Sequence, residues 1–334
     1  MIAGGGGLME LGVMVMPRLE SVEHIALAEE LGYDFAVVAD SNTFLADPWI
    51  TLALSAKKTS RIRLTPGAIT PRMRHVVANA GAAATLANLA PRRTQMLIGS
   101  GFTSQAMIGK PAATWREVEA YVVALRALLR GEETTWDDEL ISLPFNHLIG
   151  ISLPQEVPIL IAAHGPKGYA VAERVGDGIV TNPMHGAAND LSAHRQVIVQ
   201  VNGTVLKEGE GYDSPRVFET AGPAAAMQLH LGDGGAARGM AESAGFAAKL
   251  EGVDPRRRHL VVHRSHFVEV TDFEREYVTP DLIRRCTDTG TREEWRERLD
   301  QFQASGVTGV MLAVAGSDIP RELDAFARCF NSQF

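Results

Sequence analysis

The chain has 334 residues, 46% of them hydrophobic and 22% charged, ordinary globular proportions for one large α/β domain or two average ones. Its formal net charge of -8, with no long basic run, argues against nucleic acid or an anionic membrane as a partner. No apolar run reaches the roughly 20 residues of a membrane span. The two cysteines, Cys286 and Cys329, stand far apart without CxxC spacing, which suits a reducing, cytoplasmic setting.

Residues 1–8 read as a disordered glycine-rich leader, lacking the basic start and apolar core of a signal peptide. Residues 9–334 read as a single domain. Leu11–Met16 is a buried strand ended by Pro17. Ser21 is placed to cap a helix whose apolar face uses Val22, Ile25, Ala28 and Leu31, and Gly32 stops it. Asp34–Ala39 is the second strand, with Asp40 and Ser41 just past its carboxyl end. Asp47-Pro48 opens the next helix. Arg61–Thr65 is the third strand and runs into Pro66-Gly67-Ala68-Ile69-Thr70-Pro71. His75–Leu89 is a helix of small residues, which fits either core packing or a dimer seam. Thr94–Gly99 is the fourth strand, ending in Gly99-Ser100-Gly101, and Trp115–Leu129 is a long helix.

Val157–Asn182 packs strand, turn, helix and strand into one short unit. Val157–Ala163 is an apolar run suited to a parallel strand covered on both faces. Gly165 and Pro166 break it, Lys167 leaves a cation beside the turn, and Gly176 closes the helix that follows. Asp177–Thr181 is then a parallel neighbour reached by a right-handed crossover. Arg195–Leu206 reads as the seventh strand, Pro215–Leu231 as a helix and Leu260–Val270 as a β-rich run. Thr291–Ala304 is a helix, Gly309–Val314 the eighth strand and Ile319–Phe330 the last helix. Eight strands separated by helices is the count of a (β/α)8 TIM barrel, with an excursion between strands seven and eight (residues 207–290) lying over its mouth. A doubly wound sheet is the competing arrangement, but no GxGxxG follows an early strand.

Several ordered blocks carry a resemblance. They are Glu30-Leu31-Gly32-Tyr33-Asp34, Asp47-Pro48-Trp49, Thr59–Leu64, Pro66–Pro71, Arg74-His75, Gly99-Ser100-Gly101, Ala162–Lys167 and Ala172–Gly178. Together, from Leu11 to about Val314, the chain resembles the bacterial luciferase-like family. The closer likeness is to its branch dependent on the deazaflavin coenzyme F420, the methylene-tetrahydromethanopterin reductase-like proteins. The turn Ala162-Ala163-His164-Gly165-Pro166-Lys167 with the strand that follows is its most specific element.

The resemblance implies a homodimeric barrel that binds coenzyme F420 at the carboxyl ends of the strands and transfers a hydride to or from a small organic substrate. It implies that Gly99, Ser100, Gly101, Ala163, His164, Gly165, Pro166 and Lys167 approach the ribityl-phosphate region. That fits the affinity of turn and helix-start amides for anions. It further implies a non-prolyl cis peptide at Gly67-Ala68, behind the ring, with Asp40 and Ser41 beside it. The sugar-phosphate-oxidising relatives place a histidine base where this chain has Ser41 and a glutamate acid where it has Phe102. Neither residue can do that acid–base work, so the same substrate chemistry is not expected, and no residue is assigned as catalytic. Trp49, Phe102, His263 and His266 are the candidate substrate-pocket residues.

His259, His263 and His266 also invite a metal reading. The run LVVHRSHFVEV favours a strand, which puts His263 and His266 on opposite faces, so no metal is expected. An FMN-dependent monooxygenase of the same superfamily, using molecular oxygen, is the alternative enzyme. A non-catalytic flavin- or deazaflavin-binding protein is the alternative of another class.

Overall fold

The computed structural model describes residues 9–182, 191–231 and 235–330. Its main strands in chain order are β1 (Glu10–Val15), β2 (Phe35–Val38), β3 (Arg63–Pro66) and β4 (Met96–Gly99). A small antiparallel hairpin follows, β5 (Thr134–Trp136) with β6 (Glu139–Ile141). Then come β7 (Ile159–Ala162), β8 (Gly178–Thr181), β9 (Val197–Asn202) and β10 (Gly309–Val314). The eight main strands are all parallel and run in the order β3-β2-β1-β10-β9-β8-β7-β4. Parallel bridges Leu64–Thr94 and Ile69–Ile98 join β3 to β4, and so close the sheet into a (β/α)8 TIM barrel.

Strand alternation sorts the core into two layers. Phe35, Val37, Leu97, Leu160, Val180, Ile198 and Met311 fill the barrel interior. Gly12 is glycine because the Phe35 ring occupies its side-chain space, where a Cβ would come within 2.1 Å. The alternate residues, among them Val13, Val38, Leu64, Ile98 and Ile161, pack beneath the surrounding helices. Those helices begin as α1 (Ser21–Glu30), α2 (Pro48–Lys58), α3 (Val76–Leu89), α4 (Phe102–Ala106), α5 (Trp115–Leu129) and α6 (Pro166–Val175). Asp47 caps α2 by accepting from the Trp49 and Ile50 amides at 2.9 and 3.2 Å. Ser21 does not cap α1: it is the first helical residue, and its hydroxyl accepts from the Arg18 amide at 2.8 Å. In α3 the small residues Ala80, Ala83, Ala84 and Ala87 are buried in one core with Tyr121, Val122 and Leu125 of α5, so that stripe serves the helix layer.

The segment between β9 and β10 forms α7 (Pro215–His230), α8 (Ala241–Glu251), α9 (Arg258–Val262) and α10 (Pro280–Cys286) around a core of its own. Val217, Leu229, Phe246, Val278 and Leu282 are in that core. Ala224 and Met227 of α7, with Phe267 and Val268, pack on Met16, Ala39 and Ala313 at the carboxyl ends of β1, β2 and β10. The expected strand over Leu260–Val270 is absent. Residues 258–262 are helical, and the chain then turns through His263–Phe267, with Phe267 at a φ of 66°. Val262 and Val270, two of the valines that mimic a strand there, pack into the excursion's own helical core. After it come α11 (Arg292–Ala304), opened by a capping box of Thr291 and Glu294, and α12 (Ile319–Phe330).

Candidate active site

Four neighbouring strands, β2, β3, β4 and β7, bring most of the sequence candidates to one quadrant of the barrel mouth. Gly99 pairs with Ala162, and a Cβ on Gly99 would lie 3.3 Å from the methyl groups of both Ala68 and Ala162. Three very small residues thus stand side by side above the apolar barrel core, which leaves a shallow slot for a flat group. The Gly67-Ala68 peptide is cis, and Gly67 has no room for a side chain because Leu97 Cβ would lie 2.4 Å away. Gly101 turns with a φ of 78° and packs against Thr70, whose hydroxyl donates to the Ser100 carbonyl at 3.3 Å.

Asp40 stands two residues beyond the Val38–Pro66 pair, as Ala68 does on the neighbouring strand. It is 5% exposed, and among the described residues neither carboxylate oxygen has a hydrogen bond of ordinary geometry. Burial pushes its pKa up to about 6; Arg74 and Asn42 pull against that, and Asp47 adds to it. Ser41, half-buried, starts the next turn by accepting from the Phe44 and Leu45 amides. Ser104, which sequence reasoning missed, is a second buried polar group without a partner; its hydroxyl lies 2.9 Å from the side-chain position of Gly101. No sequence pattern flags a serine three residues past a GxG turn, so that site was visible only in the fold.

On the β7 side, Gly165 precedes α6 with open space where its side chain would be, and Pro166 takes the first helical position. Among the described residues no side chain caps this end, and Lys167 is exposed beside it. An anionic group could therefore be received by backbone, helix dipole and ammonium together. Ala163 is buried and His164 exposed. Two cations that might have shared the task are already engaged: Arg72 pairs with Glu117 at 2.9 Å, and Arg74 pairs with Asp47.

The substrate-pocket candidates separate. Trp49 sits in the first turn of α2, packs with the helix-layer cores and donates its indole N–H to Asn79 at 3.0 Å. Phe102, 49% exposed, meets His263 edge-on with ring centroids 6.3 Å apart. Thr103 lies 3.2 Å from His266 Nε2. The excursion therefore brings both imidazoles against the loop that follows Gly99–Gly101. Burial lowers the pKa of His263 to about 4 and drives that of His266 well below the usual histidine value.

The histidines do not lie on opposite faces of a strand. The turn at 263–267 removes the opposite faces of the expected strand, and His263, His266 and His230 converge, with ligand nitrogens within 4.8 Å of one another. His230 was missed because it lies 33 residues before His263, on the last turn of α7. A cleft of about 1200 Å3 lies at the opposite end of the barrel, lined by Glu10, Pro158, Gln196 and Thr308 near the strand starts. Parallel barrels carry their chemistry at the carboxyl ends, so the mouth is the site developed here.

A closed parallel barrel with small residues, a buried acid and a helix start gathered at the carboxyl ends of its strands is a (β/α)8 TIM barrel with its candidate site at the mouth. The family model for luciferase-like monooxygenases matches residues 8–309, and the chain belongs to that family. It is 27% identical over 184 residues to the 5,10-methylenetetrahydromethanopterin reductase of Archaeoglobus fulgidus, covering 53% of this chain and 54% of that protein. It is 33% identical over 179 residues to the F420-dependent glucose-6-phosphate dehydrogenase of Beutenbergia cavernae, covering 49% and 52%. The chain thus spans about half the length of the curated relatives it matches. The fold is similar to the coenzyme F420-dependent tetrahydromethanopterin reductase of Methanopyrus kandleri, with a TM-score of 0.72 over 98% of this chain and all of that one, at 15% identity. An F420-dependent secondary alcohol dehydrogenase in complex with an F420-acetone adduct has a TM-score of 0.66 at 18% identity, over 97% of this chain and 98% of that one.

Proposed function

We propose that this protein is an oxidoreductase that moves a hydride between coenzyme F420 and a small organic substrate. The observation that carries the reading is the slot of Ala68, Gly99 and Ala162 with the unpartnered Asp40 beside it and the open start of α6 beyond. F420 would supply a ring carbon able to take up or give a hydride. The slot would hold the ring flat, Gly99–Gly101 and Gly165–Lys167 would receive the ribityl-phosphate part, and the excursion would keep water from the reacting face. Asp40 would hold a proton on a carboxylate oxygen below about pH 6 and release it above. Ser41 and Phe102 offer no acid–base pair for a sugar phosphate, so the substrate lies elsewhere among small alcohols, carbonyls or activated alkenes. The same reading carries a cytoplasmic homodimer, which light scattering on the purified chain would test for its second half.

The named F420-dependent relatives support this cofactor. A second reading, an FMN-dependent monooxygenase, is favoured by the family's own description and by a Baeyer–Villiger monooxygenase of similar fold solved with FMN, at a TM-score of 0.59. Titration of the purified protein with F420 and with FMN, followed by fluorescence, separates them. Tight F420 binding with weak FMN binding is expected; the reverse moves the reading to oxygen chemistry, and neither binding removes it.

A further inference from the structure

We propose that His230, His263 and His266 form a site for one divalent transition-metal ion of the zinc class, with the three Nδ1 atoms as ligands and a fourth position open to an oxygen ligand. The spacing is the first ground. His230 Nδ1 and His266 Nδ1 are 3.2 Å apart, and His263 Nδ1 and His266 Nδ1 are 3.5 Å apart. A tetrahedral ion with bonds of about 2.0–2.1 Å to nitrogen sets its ligands roughly 3.3–3.4 Å from one another. One ring nitrogen from each of the three histidines lies within 4.8 Å of the others, and ring rotations would bring the third edge to that spacing.

The surroundings are the second ground. Glu274 Oε1 accepts from His230 Nε2 at 2.6 Å, and Thr271 holds the other carboxylate oxygen through its amide and hydroxyl at 2.8 and 2.7 Å. A carboxylate receiving the Nε2 proton leaves the His230 Nδ1 lone pair facing the cluster, which is the ligand tautomer and the usual outer partner of a metal-bound histidine. His266 Nε2 has Thr103 Oγ1 at 3.2 Å to play the same part. The side chain of His230 is 1% exposed, and His263 and His266 are 5% and 8% exposed. Phe246, 5.7 Å from His230 between ring centroids, walls one side. Three buried imidazoles without a ligating carboxylate suit zinc, copper, iron or nickel rather than calcium or magnesium.

The same rings could instead form a metal-free chain, in which His266 Nδ1–H donates to His230 Nδ1 and Thr103 donates to His266 Nε2. That chain leaves His263 Nδ1 facing a proton already committed, and it gives no reason for the Nδ1 atoms of His230 and His263 both to lie against that of His266. The ion would sit against Phe102 and Thr103, directly after the Gly99–Gly101 turn. There it could take a substrate oxygen as its fourth ligand. That role, unlike the ion itself, rests on the oxidoreductase reading.

The test is titration of untagged full-length protein, stripped with chelator and free of F420, with Zn2+ by calorimetry and with Co2+ by visible absorption. One ion per chain is expected, with the intense visible bands of tetrahedral Co2+. His263→Ala and His266→Ala should each weaken binding by at least about a hundredfold, and His259→Ala, outside the cluster, should leave it unchanged. Glu274→Gln keeps all three ligands and is expected to weaken the metal by about 10–100-fold, which covers the case of a ligand variant that fails to fold. Absence of saturable Zn2+ binding to the wild-type chain up to about 100 µM, far weaker than a built zinc site, would overturn the proposal. Undiminished binding in both His263→Ala and His266→Ala would do the same. Because F420 is absent throughout, neither result bears on the cofactor reading.

Discussion

Asp40 and Glu274 are carboxylates buried at the mouth of the barrel and treated in opposite ways. On the strand-end floor, Asp40 is buried with no hydrogen bond of ordinary geometry, and burial raises its pKa to about 6. In the roof formed by the excursion, Glu274 is buried too, but hydrogen bonds from His230 and Thr271 outweigh that burial and hold its pKa below the usual glutamate value. A buried polar group left unpaired costs about 1–3 kcal/mol, which folding alone gives no reason to retain. Glu274 therefore reads as an organiser that fixes the tautomer of His230, while Asp40 reads as a group kept available to a ligand. Floor and roof then differ in kind: the floor offers small residues and one loosely held proton, and the roof offers a buried imidazole cluster anchored by Glu274 and Thr103.

The sharpest way to break that division is to loosen the roof alone. Phe246 is 2% exposed and packs on His230, Phe273 and Tyr277. Phe246→Ala should cost about 3–5 kcal/mol, read as a lowered urea midpoint, and should abolish metal binding while F420 affinity of the folded protein survives. Equal loss of both would mean that floor and roof are one site. Gly99→Val attacks the floor: with 3.3 Å to the methyl groups on both sides, any side chain fills the slot. F420 binding by fluorescence should fall about a hundredfold, close to 3 kcal/mol, with Zn2+ binding unchanged. An F420 affinity within threefold of wild type would remove the slot from the cofactor site.

Floor and roof were unequally legible in the sequence. The eight barrel strands were readable because each is a local apolar run bounded by turn residues, as at Val157–Ala163 and Gly309–Val314. Gly67-Ala68 and Gly99-Ser100-Gly101 were singled out by resemblance over consecutive residues, and the cis peptide stands where it was expected; the slot itself, with Ala162 beside Gly99, needed the strand pairing. The roof depends on contacts between segments distant in sequence. Alternating valines around His263 mimic a strand, yet Val262 and Val270 pack into the core shared by α7 and α8, and helix and turn result. A pattern read within LVVHRSHFVEV could not bring in His230, which no spacing rule connects to it. Trp49 is placed by a contact of the same distant kind: Asn79 takes its indole N–H at 3.0 Å and holds it against the helix layer.

Asp40→Asn probes the proton on the floor. An aspartate with a folded pKa near 6 against 3.8 in the unfolded chain binds more protons when folded between those values, so its burial grows costlier as pH rises from about 4 to 6 and stays so above. The amide escapes that cost. Asp40→Asn should be more stable than wild type by roughly 3 kcal/mol at pH 8 and indistinguishable near pH 3.5, measured by urea denaturation at each pH. Constant stability differences across the range would mean that Asp40 is not held neutral by burial. Under the oxidoreductase reading, the same variant should also lose the inflection near pH 6 from its rate profile.

The smallest effect is expected where the two halves touch. Thr103 follows the floor's glycine turn, and its hydroxyl meets His266 Nε2 of the roof at 3.2 Å. Thr103→Val keeps the shape and removes only that bond, worth about 0.5–1.5 kcal/mol and visible as a small shift in midpoint. If the bond merely orients His266, zinc affinity should fall by about tenfold while F420 affinity stays within a factor of two or three of wild type. If F420 affinity instead drops as far as it does in Gly99→Val, the cofactor must be read through the roof as well. The histidines would then belong to one cooperative site with the slot, and the separation drawn between an available acid below and an organised cluster above would have to be abandoned.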